Sequence, residues 1–275
     1  MDNLKMNELL TRSISGIIFA ALVVGCVLLG PWTCSALLLL VVGIGTFEMW
    51  RLHGIKDSKY RILSELYSIG AYAVAALVAL HFLPMKWLLL ELVFLMIPFL
   101  FALFSTKYDY KTLLSNFYAS LVFLSLPCAL MLFMYRTDLF GQMAGAHLIL
   151  LIYGLLWTDD MFAFFTGKLL GKHKLFSRIS PGKTIEGSLG GLVFTVIAMV
   201  VFCHYASWLS VPAAAGMAAI AVIFGTLGDL CESMLKRQAG MKDSGKLIPG
   251  HGGILDRFDS ILFSVPFIFV YLLLL

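Results

Sequence analysis

The densest chemistry in this 275-residue chain lies between Ser233 and Asp259. There Lys236, Arg237, Lys242, Lys246 and Arg257 are interspersed with Asp243, Asp256 and Asp259, and the run Pro249-Gly250-His251-Gly252-Gly253 interrupts them. Cations of this kind neutralise phosphates, arginine bidentately. Glycines lack a Cβ, so their backbone N–H groups can approach a ligand closely, and a histidine set between such glycines is read as a site residue. Just upstream, Asp229, Glu232, Ser233, Lys236 and Arg237 recur at steps of three and four, so a continuing helix would carry them on one polar stripe. Asp256 and Asp259 are three apart and share a face where the next apolar run begins. Asp229 and Asp256, from different helices at one depth, form a candidate Mg²⁺ site, because Mg²⁺ takes a few carboxylates and completes its shell with phosphate oxygens.

A second polar cluster precedes this one. Asp159 and Asp160 interrupt an apolar run, where each charge costs about 2.5–3.5 kcal/mol at a helix centre. Adjacent residues point about 100° apart and these lie roughly 12 Å from the cytoplasmic end of the run. They are either acids that snorkel or meet an arginine of another helix, or the wall of a polar cavity; the cavity is favoured. Then come Gly167-Lys168, Gly171-Lys172 and Ser180-Pro181-Gly182-Lys183-Thr184-Ile185-Glu186-Gly187. This is not a P-loop: the glycine required five residues before Gly182 is Ser177, and no strand is expected ahead of it. Ser180-Pro181 and Glu186 mark a helix start, with Thr184 as its cap. The clustering of lysines with Ser, Thr and Gly favours phosphate contact over charges that merely flank a membrane.

Composition says where these residues sit. The chain is 60% hydrophobic and 13% charged, against about 25% charged in soluble domains. Many apolar runs approach the ~20 residues a bilayer requires. The expectation is an all-α, polytopic membrane protein with about nine transmembrane helices, near 14–30, 32–50, 66–83, 86–104, 117–134, 146–167, 187–208, 211–230 and 256–275. The first run, flanked by Lys5 and Arg12, has no small-residue cleavage pattern after it and is read as a retained helix. With the N-terminus inside, every Lys and Arg except Lys86 and Arg136 falls on the cytoplasmic side, as the positive-inside rule demands. The polar loop before residue 256 is then cytoplasmic and the C-terminus outer. The net charge of +4 reflects this topology and attraction to an anionic leaflet; no nucleic-acid partner is implied. The five cysteines form no CxxC pair and are read as packing residues. No internal repeat suggests an inverted-repeat transporter. The first five spans hold few ionisable residues, Glu48 near a span end and Glu91 among them; residues 1–140 are read as a mainly packing half, and 146–275 as the catalytic half.

The segment from Ser233 to Asp259 resembles the signature of the phosphatidate cytidylyltransferases, or CDP-diacylglycerol synthases. It runs Ser233-x-apolar-Lys236-Arg237, four residues, Lys242-Asp243, a turn to His251-Gly252-Gly253, then Asp256-Arg257-Phe258-Asp259. Asp160-x-x-Ala163-Phe164 and Ser180-Pro181-x-Lys183-Thr184-x-Glu186-Gly187 resemble the family's upstream element, with Gly182 where many relatives carry Lys. The first 140 residues match no motif. The resemblance implies a nucleotidyltransferase of phospholipid biosynthesis that moves the cytidylyl group of CTP to phosphatidic acid, giving CDP-diacylglycerol and pyrophosphate. It implies a multi-pass protein of the cell's inner (cytoplasmic) membrane, bathed in bilayer lipid, with its site on the cytoplasmic face. The catalytic set it implies is Lys236, Arg237, Lys242, Asp243, His251 and Arg257. Ser180, Lys183, Thr184, Glu186, Ser233, Gly252 and Gly253 would bind substrates, and Asp229 and Asp256, helped by Asp259 and Asp160, would hold Mg²⁺. A second, monovalent cation and a homodimer are admitted. A CTP-dependent polyprenol or phytol kinase, of similar membrane fold, would need a base for its alcohol. A CDP-alcohol phosphotransferase would carry an Asp-Gly-x-x-Ala-Arg pattern that is absent. An ion-coupled transporter would explain acids within the membrane but not a cytosolic loop rich in cations and glycines.

Overall fold

The computed structural model describes residues 2–248, 250 and 252–275, with only the backbone described for residues 2–12. The chain is an all-α, polytopic membrane protein. Its helices are α1 (Asp2–Leu28), α2 (Pro31–Leu52), α3 (Ser58–Ala79), α4 (Leu90–Leu103), α5 (Tyr110–Ser120), α6 (Leu126–Phe133), the short α7 (Thr137–Phe140), α8 (Ala146–Leu170), α9 (Ile185–Ala206), α10 (Val211–Gln238) and α11 (Leu255–Leu273). A 3₁₀ turn leads into α4, and a π turn at Leu121–Ser125 joins α5 to α6 into one rod. Pro127 follows that turn and has no N–H to give the helical ladder, a common reason for a local change of pitch. Among the described residues, seven of these rods are long and apolar enough to cross a membrane. The apolar part of α1, Ser13–Leu28, is shorter, and α11 opens on Asp256, Arg257 and Asp259.

Sequence punctuation places several helix ends beyond the expected spans. Asp57 accepts from the Lys59 N–H at 2.9 Å and starts α3 at Ser58 instead of near residue 66. Asp109 caps α5 in the same way, so that rod starts at Tyr110. The helix α10 continues past residue 230 to Gln238 and carries the stripe from Asp229 to Arg237 beyond its apolar part. The segment before α9 is a hairpin, β1 (Lys174–Phe176) paired antiparallel with β2 (Ser180–Thr184). This corrects the expectation that no strand precedes Gly182-Lys183-Thr184. The hairpin still makes no P-loop, because those three residues lie on β2 itself.

The core is shared by α2, α3, α6, α8, α10 and α11, with Val42, Cys128, Leu132, Ile152, Ala218, Leu262 and Val265 fully enclosed. By contrast α4 turns Leu92, Met96, Phe99 and Leu103 outward, as a helix facing lipid does. Two close crossings hold the C-terminal helices. A Cβ on Gly228 of α10 would come within 2.6 Å of the Asp259 carbonyl on α11, and one on Gly187 of α9 within 2.8 Å of the Ala163 carbonyl on α8. Small residues at such crossings let backbones approach where no hydrophobic effect drives association.

Gly228→Val is expected to push α10 off α11 and cost about 1–3 kcal/mol, the usual range for overpacking. Thermal unfolding in detergent checks this. Gly25→Ala, where nothing lies within 4 Å, is expected to leave the midpoint unlowered.

Candidate active site

A cavity of about 480 Å³ opens between α8, β2, α9, α10 and α11. Thr184 ends β2 and caps α9, its Oγ1 accepting from the Gly187 N–H at 3.1 Å, which sets Lys183 at the cavity wall. On the α8 side stand Asp159 and Asp160. Asp159 is only 5% exposed, and its Oδ1 has no hydrogen-bond partner. Gly191 of α9 lies so close to that carboxylate that any side chain there would collide with it. The Lys183 ammonium meets the Asp229 Oδ2 at 2.6 Å, and the Ser233 hydroxyl donates to the Asp229 Oδ1 at 3.2 Å. The charge of Lys183 also acts on Asp159, Asp160 and Asp259, and that of Arg257 on Asp160. Lys183 is thus in contact with Asp229, on the same cavity wall as Asp159 and Asp160.

A second, buried cluster lies at the junction of α10 and α11. Lys236 places its ammonium 2.5 Å from Glu232 Oε2 and 2.5 Å from Asp256 Oδ1. Asp256 Oδ2 accepts from the Ser244 N–H (2.9 Å), the Ser244 hydroxyl (2.8 Å) and the Gly253 N–H (2.7 Å). The Ser244 hydroxyl also lies 2.8 Å from Glu48 Oε2, so one proton serves two carboxylates. Glu48 further accepts from the N–H groups of Ile254 (3.1 Å) and Leu255 (2.9 Å) at the start of α11. Gly252 turns the chain at φ +85°, and a Cβ on it would meet the Asp256 carboxylate at 2.5 Å. The Ile248 N–H closes this turn on the Gly252 carbonyl at 3.0 Å.

The sequence-derived site residues divide between these places. Lys183, Thr184, Asp160, Asp229, Ser233 and Asp259 gather at or beside the cavity. Asp259 also accepts from the Ser260 N–H at 2.6 Å. Lys236, Asp256, Gly252 and Gly253 belong to the buried cluster. The expected partnership of Asp229 with Asp256 is not what the geometry displays: Asp229 pairs with Lys183 and Asp256 with Lys236. Lys236, expected to face a phosphate, is instead buried between two acids of its own chain. Glu186 is folded back on the hairpin, accepting from the Lys172 and His173 N–H groups and pairing with His173 Nδ1 at 2.5 Å. Ser180 begins β2 and is half-buried. Arg237, Lys242, Asp243 and Arg257 are exposed, with Arg237 donating to the Met241 carbonyl at 3.1 Å. His251 lies outside the described residues. Sequence reasoning did not select Glu48, Glu232 or Ser244 for the site. The available signal was Glu48 itself, an acid in an apolar helix that needs a partner somewhere.

The donor set suits a hard divalent cation: oxygen ligands, with carboxylate charge in excess of the cations beside them. No three Asp, Glu, His or Cys side chains are gathered as a ready-made metal cage among the described residues. Protein carboxylates would therefore be completed by other oxygens, the usual arrangement for Mg²⁺. Asp256 could join such a shell only by exchanging the Lys236 ammonium for the metal.

A model described as the cytidylyltransferase family matches residues 10–275, and the chain belongs to that family. The phosphatidate cytidylyltransferase of Staphylococcus aureus (strain COL) is 43% identical over 143 residues, 52% of this chain and 54% of its own length. That of Staphylococcus haemolyticus (strain JCSC1435) is 46% identical over 130 residues, 47% of this chain and 50% of its own. The chain thus spans about half the length of the curated relatives it matches.

Lys236→Met is expected to leave Glu232 and Asp256 buried without their cation and to cost about 3–5 kcal/mol. Arg237→Ala, one residue on but exposed, is expected to cost less than about 0.5 kcal/mol. Thermal unfolding of the two variants in the same detergent separates them.

Proposed function

We propose that this protein transfers the cytidylyl group of CTP to phosphatidic acid, giving CDP-diacylglycerol and pyrophosphate. The observation that carries this reading is the cavity lined by Asp159, Asp160 and Lys183, with Asp229 paired to Lys183, in a chain of the cytidylyltransferase family. The likeness to relatives named phosphatidate cytidylyltransferase supports the choice of lipid. A phosphate oxygen of phosphatidic acid attacks the α-phosphorus of CTP. The bond from that phosphorus to the bridging oxygen breaks, and pyrophosphate leaves with the bond's electron pair. The attacking oxygen is already ionised near neutral pH, so no general base is required. The obstacle is bringing two polyanions together, which positioning and charge stabilisation overcome.

Within this reading Lys183, Lys242, Arg237 and Arg257 hold phosphates at the membrane edge, and Thr184, Ser180 and Ser233 serve beside them. Asp229 leads the metal-binding set, with Asp259 and Asp160 adjoining it. Bound Mg²⁺ would neutralise the pyrophosphate as it departs. Lys236 and Asp256 keep the loop that carries Lys242, Asp243 and Gly252-Gly253 in place. His251 is assigned to the same loop from the sequence alone. Nine spans, a cytoplasmic loop between α10 and α11 and an outer C-terminus follow from the basic residues. Residues 1–140 support and residues 146–275 react.

Three measurements test this. Purified protein given CTP labelled in its α-phosphate and phosphatidic acid should move label into the lipid phase; label remaining in water would sink the proposal. Asp229→Asn should raise the half-activating Mg²⁺ concentration by ~10–100-fold, the scale of weakened metal sites, and an unchanged activation curve would remove Asp229 from the metal. Lys242→Ala should lower kcat on the order of 100-fold, as loss of a transition-state charge partner does, while Lys111→Ala stays near the parent. Lys111 is the control because Lys107 is already paired with Asp57 at 2.5 Å. Equal rates for the two variants would return Lys242 to the role of a membrane-flanking charge.

A further inference from the structure

The half of the chain without a signature motif sends one carboxylate into the loop that carries the signature. Glu48 lies four residues from the end of α2 and is only 2% exposed. Among the described residues its bonds go to positions some two hundred residues later: the Ser244 hydroxyl, the Ile254 N–H and the Leu255 N–H. The loop is moulded on it. A Cβ on Gly253 would collide with both Glu48 oxygens, and one on Gly245 with Oε1. The last two donors are N–H groups at the first turn of α11, which have no partner within the helix and favour a negative charge. Ser244 then passes the contact on, since its hydroxyl and its N–H also reach Asp256 Oδ2, whose other oxygen holds Lys236.

We propose that Glu48 is a positioning residue for the reaction: its carboxylate clamps the loop from Ser244 to Leu255 so that Asp256, Gly252 and Gly253 stand ready beside the cavity. This rests on the cytidylyl-transfer reading. A residue that only packed α2 against α11 would be apolar, because a buried carboxylate is costly unless its oxygens are bonded. Three donors converging on Glu48 from one loop make that loop the reason for the charge. The clamp acts on geometry rather than on substrate affinity, so its loss should appear in kcat more than in KM.

The test is Glu48→Gln in the full-length protein, which keeps the shape but turns an NH₂ group toward donors that need an acceptor. Two readouts are taken. Hydrogen exchange of the Ile254 and Leu255 amides, followed by mass spectrometry, should quicken about 10-fold or more, the equivalent of one lost charge-assisted hydrogen bond. The kcat should fall ~10–100-fold with the KM for CTP within about threefold of the parent, while the thermal midpoint falls by only about 2–4 °C per kcal/mol of the lost bond. Faster exchange with parental kcat overturns the proposal, because the clamp would then not bear on the reaction. Lower kcat with unchanged exchange overturns it too, because the loop would not be what Glu48 holds. Should Glu48→Gln fail to fold, Ser244→Ala takes its place with the same two results required. If the parent moves no label from CTP into lipid, the cytidylyl-transfer reading fails, and the exchange rates still report separately whether Glu48 holds the loop.

Discussion

An ammonium taken out of water costs several kcal/mol unless oppositely charged groups meet it at close range. Lys236 is in that position, with Glu232 one helical turn before it on α10 and Asp256 facing it from the start of α11. Asp256 in turn can sit there only because Ser244 and Gly253 fill its remaining lone pairs. A single buried charge therefore determines how α10 ends, how the polar loop folds back and where α11 begins. The glycines follow from it: Gly252 must turn beside the Asp256 carboxylate and Gly253 must pass close to Glu48.

This cluster and the neighbouring cavity divide electrostatic labour. In the cluster, each Asp256 oxygen has its donor, although Glu232 Oε1 has no hydrogen-bond partner. In the cavity, Asp159 Oδ1 has no hydrogen-bond partner, and Lys183, paired with Asp229, shares the wall with Asp159 and Asp160. A bonded frame beside an acid-lined cavity is what a reaction between two polyanions requires, because the frame need not reorganise when phosphates and their counter-cation arrive.

Much of the fold was legible because its cause is local. Apolar runs gave helices, and the three-and-four spacing from Asp229 to Arg237 suited a helix that, as found, runs past residue 230 to Gln238. Thr184 was recognisable as a cap three residues before Gly187. The hairpin of β1 and β2 was missed, since a three-residue strand in a cationic loop has no periodicity to read. The cavity was anticipated from Asp159 and Asp160. The partner of each charge was not, because helical spacing identifies neighbours on one helix and is silent about the facing one. Thus the spacing could not show that Lys236 meets Asp256 or that Glu186 meets His173. Glu48 meets Ser244 across 196 positions, and only the anomaly of an acid in an apolar helix hinted at a contact.

The central claim is that Lys236 and Asp256 form one buried unit, each present because of the other. A double-mutant cycle measures this directly, with Lys236→Met, Asp256→Asn and the pair compared by unfolding in one detergent. If the unit is real, the double variant loses less than the sum of the single ones, with a coupling of about 1–3 kcal/mol. Losses that add to within about 0.5 kcal/mol would contradict it, and would leave each side chain free to act on a ligand by itself.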